Sequence, residues 1–318
     1  MASWKVIRRK KRRSLVLRHN PVLLQEVLEQ LALKPGAVVL DGTLGSGGHA
    51  EVILERIGPL GKLIGFDQDP EGIARCQALF RDDPRVVLVH ENFRNLEKVF
   101  AGLKINAFDA VLLDIGTSSE QLADGKRGFS FQTEGELDMR MNPEVGLKAS
   151  ELLAQMSEAE LADLFYHYGE ERNSRRFARV IVERRRQQPI RTIEDLNQTL
   201  EQALPAHMRF KKGQRPSWAR RHPATKVFQA LRIGVNDELE ALKEGMTAAF
   251  DHLTKTGRLG IISFHSIEDR IVKRQFRKWD DEERGNLIFR KPVVANRSEI
   301  LNNPRARSAK LRVIEKIS

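Results

Sequence analysis

Short apolar runs alternate with helix-type segments in the first third of the chain. Four runs stand out, at Ala37–Leu40, Leu63–Phe66, Val86–Val89 and Ala110–Leu113. Such runs are typical of strands buried on both faces of a parallel sheet. The clearest helix signal between them is Asp69-Pro70-Glu71, with an N-cap, a proline at the first helical position and an acid in the first turn. The alternation predicts a doubly wound α/β sheet.

The beginning of ordered structure is predicted at Asn20-Pro21. An asparagine followed by a proline is typical of an N-cap and a first helical position. A helical stripe follows, formed by Leu24, Val27, Leu28 and Leu31. Residues 19–121 are therefore taken as the first part of the sheet domain.

A long insertion interrupts the sheet. The fifth strand candidate, Leu259–Phe264, comes far beyond Asp114, whereas a crossover needs only about a dozen residues. The segment between them is helix-like, with capping boxes predicted at Ser157/Glu160 and Thr192/Asp195. We predict an inserted all-α domain at 122–221, a return to the sheet domain at 222–318, and a helical layer over the sheet from Pro223 to Leu253.

The charge of the chain indicates a polyanionic partner. It carries 54 Lys and Arg against 43 Asp and Glu, a formal net charge of +11. Nucleic acid and anionic lipid both fit such a surplus. Nucleic acid is favoured because no helix rich in both Lys and large apolar residues stands out. Residues 1–18 include six consecutive basic residues at 8–13 and predict a flexible basic extension, with an idle tail or an organelle presequence as alternatives.

Cysteine content and hydropathy restrict the remaining classes. Cys76 is the only cysteine, so an internal disulfide framework and a multi-cysteine zinc site are excluded. No apolar run approaches the ~20 residues that span a bilayer, and no signal-peptide pattern opens the chain. We therefore expect a cytoplasmic protein that needs no membrane.

A glycine-rich turn follows the first predicted strand. It reads Asp41-Gly42-Thr43-Leu44-Gly45-Ser46-Gly47-Gly48-His49 and leads into a helix, and the second strand ends at Asp67. The turn allows close approach to a ligand, and a terminal carboxylate can accept ribose hydroxyls. The G-x-G-x-x-G fingerprint is absent, and Asp41 would repel a pyrophosphate. Asp41 could instead help to receive the cationic amino acid portion of S-adenosylmethionine, which is therefore favoured over a dinucleotide. A turn that binds nothing is the third alternative.

Two further positions are candidates for chemistry. The fourth strand ends at Asp114, where ligands of open α/β sheets bind, although Asp114 could instead be a helix N-cap. His265 follows the fifth strand and could face the substrate. A capping box from Ser266 to Asp269 is the alternative explanation of that segment. The eight histidines show no ligand spacing, so no metal is expected.

The chain resembles the bacterial 16S rRNA (cytosine-N4)-methyltransferase family of the MraW type. Matching stretches include Leu112-Leu113-Asp114-x-Gly116-x-Ser118-Ser119, Leu137-Asp138-Met139-Arg140-Met141, Ser263-Phe264-His265-Ser266 and Asn303-Pro304-Arg305-Ala306-Arg307-Ser308. They extend over about residues 19–315. The long basic extension and the acid-free segment 209–221 depart from the family pattern.

The resemblance implies a class I (Rossmann-like) methyltransferase sheet with an inserted helical domain for substrate recognition. It also implies S-adenosylmethionine as cofactor and a cytosine of the decoding centre, in the 16S rRNA of the small ribosomal subunit, as substrate. The implied cofactor contacts are Gly47, Gly48, His49, Asp67, Phe93, Asp114 and Gln121. Asp114 is our candidate acceptor for the amine proton, and Ser119 is expected to position the base. An idle RNA-binding protein and a methyltransferase of small molecules or proteins are the rival hypotheses, and the oligomeric state stays open.

The inserted segment also carries a predicted RNA-binding face. Its arginines follow helical spacing i, i+3, i+4 and i+7, at Arg172, Arg175, Arg176 and Arg179. Like charges on one face repel each other, and phosphates would neutralise them. The alternative is a solvated face paired with Glu170, Glu171 and Glu183.

Overall fold

A computed structural model describes residues 21–102, 105, 107–204 and 223–317. Within them a seven-stranded sheet has the order β3-β2-β1-β4-β5-β7-β6. The strands are β1 (Val38–Asp41), β2 (Lys62–Asp67), β3 (Val86–His90), β4 (Phe108–Asp114), β5 (Leu253–Ser263), β6 (Gly285–Leu287) and β7 (Lys310–Lys316). The α/β prediction is confirmed, and all five predicted strands are present.

The first five strands are parallel, and the sheet ends in an antiparallel edge that we did not predict. β1 pairs with β2 and β4, β2 with β3, and β4 with β5, all in parallel. β7 then pairs antiparallel with both β5 and β6. The carboxyl ends of β1, β2 and β4 therefore meet at one edge of the sheet, where the strand order reverses.

The helices of the sheet domain are short and close the sheet on both faces. They are α1 (Leu24–Gln30), α2 (Gly48–Ile57), α3 (Pro70–Leu79), α4 (Leu96–Phe100), α5 (Ser119–Ala123), α11 (Glu238–Asp251), α12 (Ser266–Asp281) and α13 (Arg297–Asn302). The predicted start of α3 is confirmed, because the Asp69 side chain accepts a hydrogen bond from the Glu71 backbone N–H.

The predicted start of the first helix is wrong. Asn20 lies outside the described residues, and α1 begins at Leu24 after Leu23 in a left-handed conformation (φ 54°). Two tertiary hydrogen bonds hold this entry turn: the Leu23 N–H donates to Glu299 Oε1, and Val22 O lies 3.0 Å from His49 Nε2. Long-range contacts therefore override the local Asn-Pro signal.

A second hydrophobic core belongs to the inserted helices. The insert contains α6 (Ala149–Gln155), α7 (Glu158–Gly169), α8 (Ser174–Gln187) and α9 (Ile193–Gln202). The capping boxes at Ser157/Glu160 and Thr192/Asp195 are confirmed. α10 (Pro223–Asn236) shares this core through Val227, Phe228, Ala230 and Leu231.

The prediction of one helical layer over the sheet from Pro223 to Leu253 is therefore wrong for the first half of that segment. The helix is interrupted at Asp237 (φ 49°), which separates α10 from α11. Only α11 packs over the sheet. The domain boundaries at 122 and 221 stay predictions, and the α10 core contacts argue for moving the second one to Asp237. Residues 1–18 and the whole basic segment 209–221 lie outside the described residues. Among the described helices, none combines the length and apolarity needed to cross a bilayer.

Candidate active site

A cavity of about 1020 Å³ opens at the carboxyl ends of β1, β2 and β4. Of the residues predicted to form the site, seven line it: Gly48, His49, Asp67, Phe93, Asp114, Ser119 and Gln121. Gly47 and His265 do not line it. The volume is at the upper limit of what one small ligand requires.

The glycine turn is shaped by close packing around Gly47 and Gly48. Gly47 has φ 82°, a conformation that favours glycine, and precedes the first residue of α2. A Cβ at Gly47 would lie 3.2 Å from Cys76 Sγ, and one at Gly48 would lie 2.7 Å from Pro21 Cγ. Gly47 thus faces α3 and shapes the turn, whereas Gly48 lines the cavity beside Pro21.

Asp67 ends β2 beside the turn. Its Oδ2 accepts a hydrogen bond from the Gly45 N–H at 2.6 Å, and its Oδ1 accepts one from the Asp69 N–H at 2.8 Å. Burial raises the pKa of Asp67 to about 6, although these two N–H donors oppose the shift. An ionised carboxylate has about four acceptor positions, so roughly two are left for a ligand.

Asp114 ends β4, and its side chain lines the cavity. Its backbone N–H donates to Thr43 Oγ1 at 2.6 Å, and its Oδ2 lies 3.7 Å from His49 Nδ1. Its Oδ1 is buried and has no hydrogen-bond partner among the described residues. Burial raises the pKa of Asp114 to about 7, although Arg305 opposes the shift. Asp114 is therefore not a helix N-cap; Ser118 caps α5 instead.

His49 connects the N-terminal segment to the site. Burial lowers the pKa of His49, so the imidazole is held neutral. With Nε2 donating to Val22 O, Nδ1 is left as an acceptor facing Asp114. At 3.7 Å, Nδ1 and the Asp114 carboxylate are close but not hydrogen-bonded.

Asp41 does not occupy the place we expected for it. It is 2% exposed and lies behind the turn, with its Oδ1 accepting a hydrogen bond from the Thr43 N–H at 3.1 Å. Asp41 does not line the cavity. The prediction that its side chain receives the amino acid portion of the cofactor directly is therefore wrong. Burial raises the pKa of Asp41 to about 6.

Gln121 is engaged by the protein on both atoms of its amide. Its Oε1 accepts a hydrogen bond from the Ser118 N–H at 2.9 Å, and its Nε2 donates to Asp69 Oδ2 at 2.7 Å. Arg127 Nη1 also donates to Asp69 Oδ2, at 3.0 Å. Gln121 lines the cavity, but the hydrogen bonds of its amide stabilise the turn before α5.

Phe93 follows β3 and lies between the sheet and α11. A Cβ at Gly245 would fall 2.2 Å from Phe93 Cδ2, so the ring packs directly on the α11 backbone. The ring also lines the cavity and is partly buried. The position suits an aromatic ring that contacts a flat ligand group.

Arg305 is a site residue that sequence reasoning missed. It lies in the 3-10 turn Pro304–Ser308 and lines the cavity, where its Nη1 donates to Ser119 Oγ at 2.5 Å and its Nη2 donates to Thr117 O. Its guanidinium also lies over the ring of Phe264, 5.9 Å from the ring centroid. The signal was present, because Arg305 stands within one of the matching motifs.

His265 has a local role at the start of α12. Its side chain accepts a hydrogen bond from the Glu268 N–H at 3.4 Å, and its Nε2 is 2.9 Å from Glu268 Oε1. The predicted Ser266/Asp269 capping box is wrong by one residue, since Asp269 instead bonds to Lys310 and Arg312 of β7. A catalytic role for His265 stays a prediction without support from this geometry.

A charged cluster borders the site next to His265. Glu238, His265 and Glu268 lie close enough to hold a cation. The guanidinium of Arg232 already lies there, 2.9 Å from Glu238 and 3.8 Å from Glu268. The guanidinium of Arg232 therefore already balances the negative charge of these carboxylates.

The charge of the lining suits a cationic ligand. The described lining includes six acids (Glu51, Asp67, Asp69, Asp114, Glu120 and Glu238) and two arginines (Arg75 and Arg305). Burial makes ionisation of Asp67 and Asp114 costly, as their raised pKa values show. A ligand that brings positive charge would offset that cost. The lining thus fits a sulfonium-bearing nucleoside better than a pyrophosphate.

Comparison with known proteins adds a family to this geometry. The model of the MraW methylase family matches residues 16–317. A ribosomal RNA small subunit methyltransferase H from Heliobacterium mobile is 44% identical over 316 residues, covering 94% of this chain and 99% of the relative. A protein of the same name from Heliobacterium modesticaldum is 45% identical over 325 residues, covering 95% and 100%.

A solved structure of an rRNA methylase from Streptococcus thermophilus covers 93% of this chain and 96% of its own. Its sequence identity is 10% and its TM-score is 0.43. Overlap at that level supports no inference about fold or function.

Proposed function

The chain belongs to the MraW methylase family, and from this premise we propose that it methylates the exocyclic N4 amine of a cytosine in the decoding centre of small-subunit rRNA. It is a methyltransferase, and S-adenosylmethionine is its cofactor. The proposal consists of the modified base, the methylated atom and the position of that base in the ribosome. It also includes the cytoplasm as the place where the enzyme acts. The small ribosomal subunit is the proposed partner.

The residues of the glycine-turn side would hold the cofactor. When bound, it supplies a methyl group on a sulfonium, which is an excellent leaving group. Asp67 has free acceptor positions for ribose hydroxyls. Phe93 offers the face of its ring, and Gly48 leaves room where a side chain would meet Pro21.

Asp114 supports the proposed chemistry most strongly. The N4 amine is a weak nucleophile because its lone pair is delocalised into the ring, so alignment with the methyl group is the main task of the enzyme. The carboxylate of Asp114 lines the cavity and can accept a hydrogen bond from the amine and then its proton. A pKa of about 7 suits a group that must accept a proton near neutral pH.

The exposed face of α8 supports an RNA substrate. Arg175 and Arg176 are exposed on α8 and have no carboxylate within 4.0 Å in the described part of the chain. Arg172 is also exposed but precedes α8, which begins at Ser174, so the predicted four-arginine helix face is wrong for Arg172. Two of the acids that could have neutralised the face are used elsewhere: Glu170 pairs with Arg270 and Glu171 lies near Lys226. The alternative, a solvated face whose arginines pair with Glu170, Glu171 and Glu183, therefore loses two of these three acids.

Transfer of a labelled methyl group tests the proposal. Small ribosomal subunits that lack the modification are incubated with the enzyme and labelled cofactor, and the rRNA is digested to nucleosides. We expect label in N4-methylcytidine alone, and about a hundredth of that label or less with the Asp114→Asn variant. Label in another nucleoside would contradict the proposed atom. Cofactor binding without any transfer would favour the idle RNA-binding protein.

A further inference from the structure

Arg305 brings a positive charge to the wall of the cavity that the 117–119 turn forms. It is held there by Ser119 Oγ and Thr117 O, and by the ring of Phe264. These contacts use two of its five N–H groups, so three donors are left for a ligand. The guanidinium of Arg305 is thus held in position while some of its N–H donors have no hydrogen-bond partner in the described chain.

Asp114 lines the same cavity and has an acceptor oxygen that no donor satisfies among the described residues. Its Oδ1 is a buried acceptor without a partner among the described residues. Arg305 and Asp114 do not form an ion pair within 4.0 Å in the described chain, yet both line the cavity. The charge of Arg305 still opposes the rise in the pKa of Asp114. A gap between free donors and a free acceptor is what a ligand with both kinds of group would fill.

We propose that Arg305 and Asp114 together form the subsite for the base, with Asp114 accepting from its amine and Arg305 donating to the adjacent ring acceptor. This inference rests on the proposed function. Cytosine presents an N4 donor beside the N3 and O2 acceptors on the edge that such enzymes read. Uracil presents a carbonyl and an N–H at the two nearest positions, so it would meet a carboxylate and a guanidinium with the wrong polarity. The subsite therefore selects an amino-pyrimidine edge.

The same placement keeps Asp114 ready to act. The groups that face it are His49 on α2, Asp41 at the end of β1, Glu268 on α12 and Arg305. His49 is held neutral by burial, and the two acids oppose ionisation of Asp114. Arg305 is thus the cation that favours the ionised form of Asp114. Removing it should move the acid limb of the rate profile to higher pH.

Substitution of Arg305 tests the subsite, with Arg307 as the matched control. Arg307 lies in the same 3-10 turn and is exposed. We expect Arg305→Gln to lower the single-turnover rate at saturating cofactor and subunits by about 10- to 100-fold, as for loss of a charged hydrogen bond. Its acid limb should shift to higher pH while its cofactor Kd stays within about twofold. Arg305→Lys should keep the acid limb and lose part of the rate, because it keeps the charge without the fork. Arg307→Gln should behave as the wild type.

Two results would overturn the proposal. One is an Arg305→Gln enzyme with the wild-type rate and acid limb. The other is a parallel loss of cofactor affinity and melting temperature in both Arg305 variants, which would make Arg305 a brace for the 117–119 turn only. If Arg305→Gln does not fold, the Arg305→Lys rate and pH profile decide. Failure of the proposed function is separate, because the wild-type enzyme would then form no N4-methylcytidine.

Discussion

Reversing two charges on α8 is the sharpest test of where the RNA is held. The variant Arg175→Glu with Arg179→Glu changes two exposed side chains on one helix face. Arg175 has no carboxylate within 4.0 Å in the described chain, and Arg179 has one weak partner, with Nε 3.7 Å from Glu158 Oε1. Loss of such an exposed pair costs little stability. The fold and the cofactor site should therefore be unchanged.

The expected loss follows from counterion release. Each phosphate contact contributes about 0.7–0.9 to the slope of log affinity against log salt, so removing two contacts should flatten the slope by about 1.4–1.8. Over a fourfold change in salt this amounts to about a tenfold difference in affinity. The two new carboxylates add repulsion, so binding to the small subunit should fall by at least about tenfold at physiological salt.

The assay is a titration of small subunits at several salt concentrations, with cofactor affinity measured by calorimetry. A matched control is Lys273→Glu with Arg277→Glu on α12, which has the same spacing, exposure and change in net charge. We expect the control to keep most of the wild-type affinity. Equal losses in the two variants would show a general charge effect, and full methylation by the α8 variant at physiological salt would show that the RNA is held elsewhere.

Four further predictions concern the cofactor, the chemistry and the N-terminal segment. Asp67→Ala should weaken cofactor binding by about 1–3 kcal/mol in calorimetry, since ribose hydroxyls lose a charged acceptor; unchanged affinity would rule out that contact. Asp114→Asn should lower turnover by about 10²- to 10⁴-fold and remove the acid limb while the melting curve stays normal; a near-normal rate would move the proton acceptor elsewhere. Cofactor affinity should fall as pH drops through the raised pKa values of Asp67 (about 6) and Asp114 (about 7), because their protonated forms no longer attract a cation; a constant Kd between pH 8 and pH 5.5, measured over that range in roughly half-unit steps, would contradict this electrostatic account. Deleting residues 1–18, which lie outside the described structure, should flatten the salt dependence of RNA binding and leave cofactor affinity unchanged; an unchanged slope would make the segment an idle tail or a presequence.

The sequence predicted the parallel strands because each is a local apolar run. It did not predict β7, whose Lys310–Lys316 segment mixes charged and apolar residues. That strand is defined by pairing with β5, which lies about 50 residues earlier in the chain. A pattern confined to neighbouring residues does not contain such a pairing. The start of α1 failed for the same reason, since Glu299 and His49 hold the turn.

The candidate site was predicted where strand ends carry acids, and missed where a distant segment completes it. Asp67 and Asp114 both line the cavity because carboxyl ends of neighbouring parallel strands meet. Arg305 arrives from the C-terminal part, 186 residues after the Ser119 that it contacts. Gln121 was predicted as a ligand contact, but its amide is first a structural brace. Distinguishing these roles requires knowledge of which hydrogen bonds are already satisfied.

The active cavity is walled by both ends of the described chain, and this orders events during synthesis. Val22 and Arg305 line the same cavity, and the Leu23 N–H is bonded to Glu299, 276 residues later. At about 5–20 residues per second, translation separates these two walls by roughly 15–55 s. A growing chain can form the glycine turn and β1 to β4 in that interval, but it lacks the wall that carries Arg305. The contact between Arg305 and Ser119 can therefore form only after 186 further residues have been made, so the cavity acquires this wall late in synthesis.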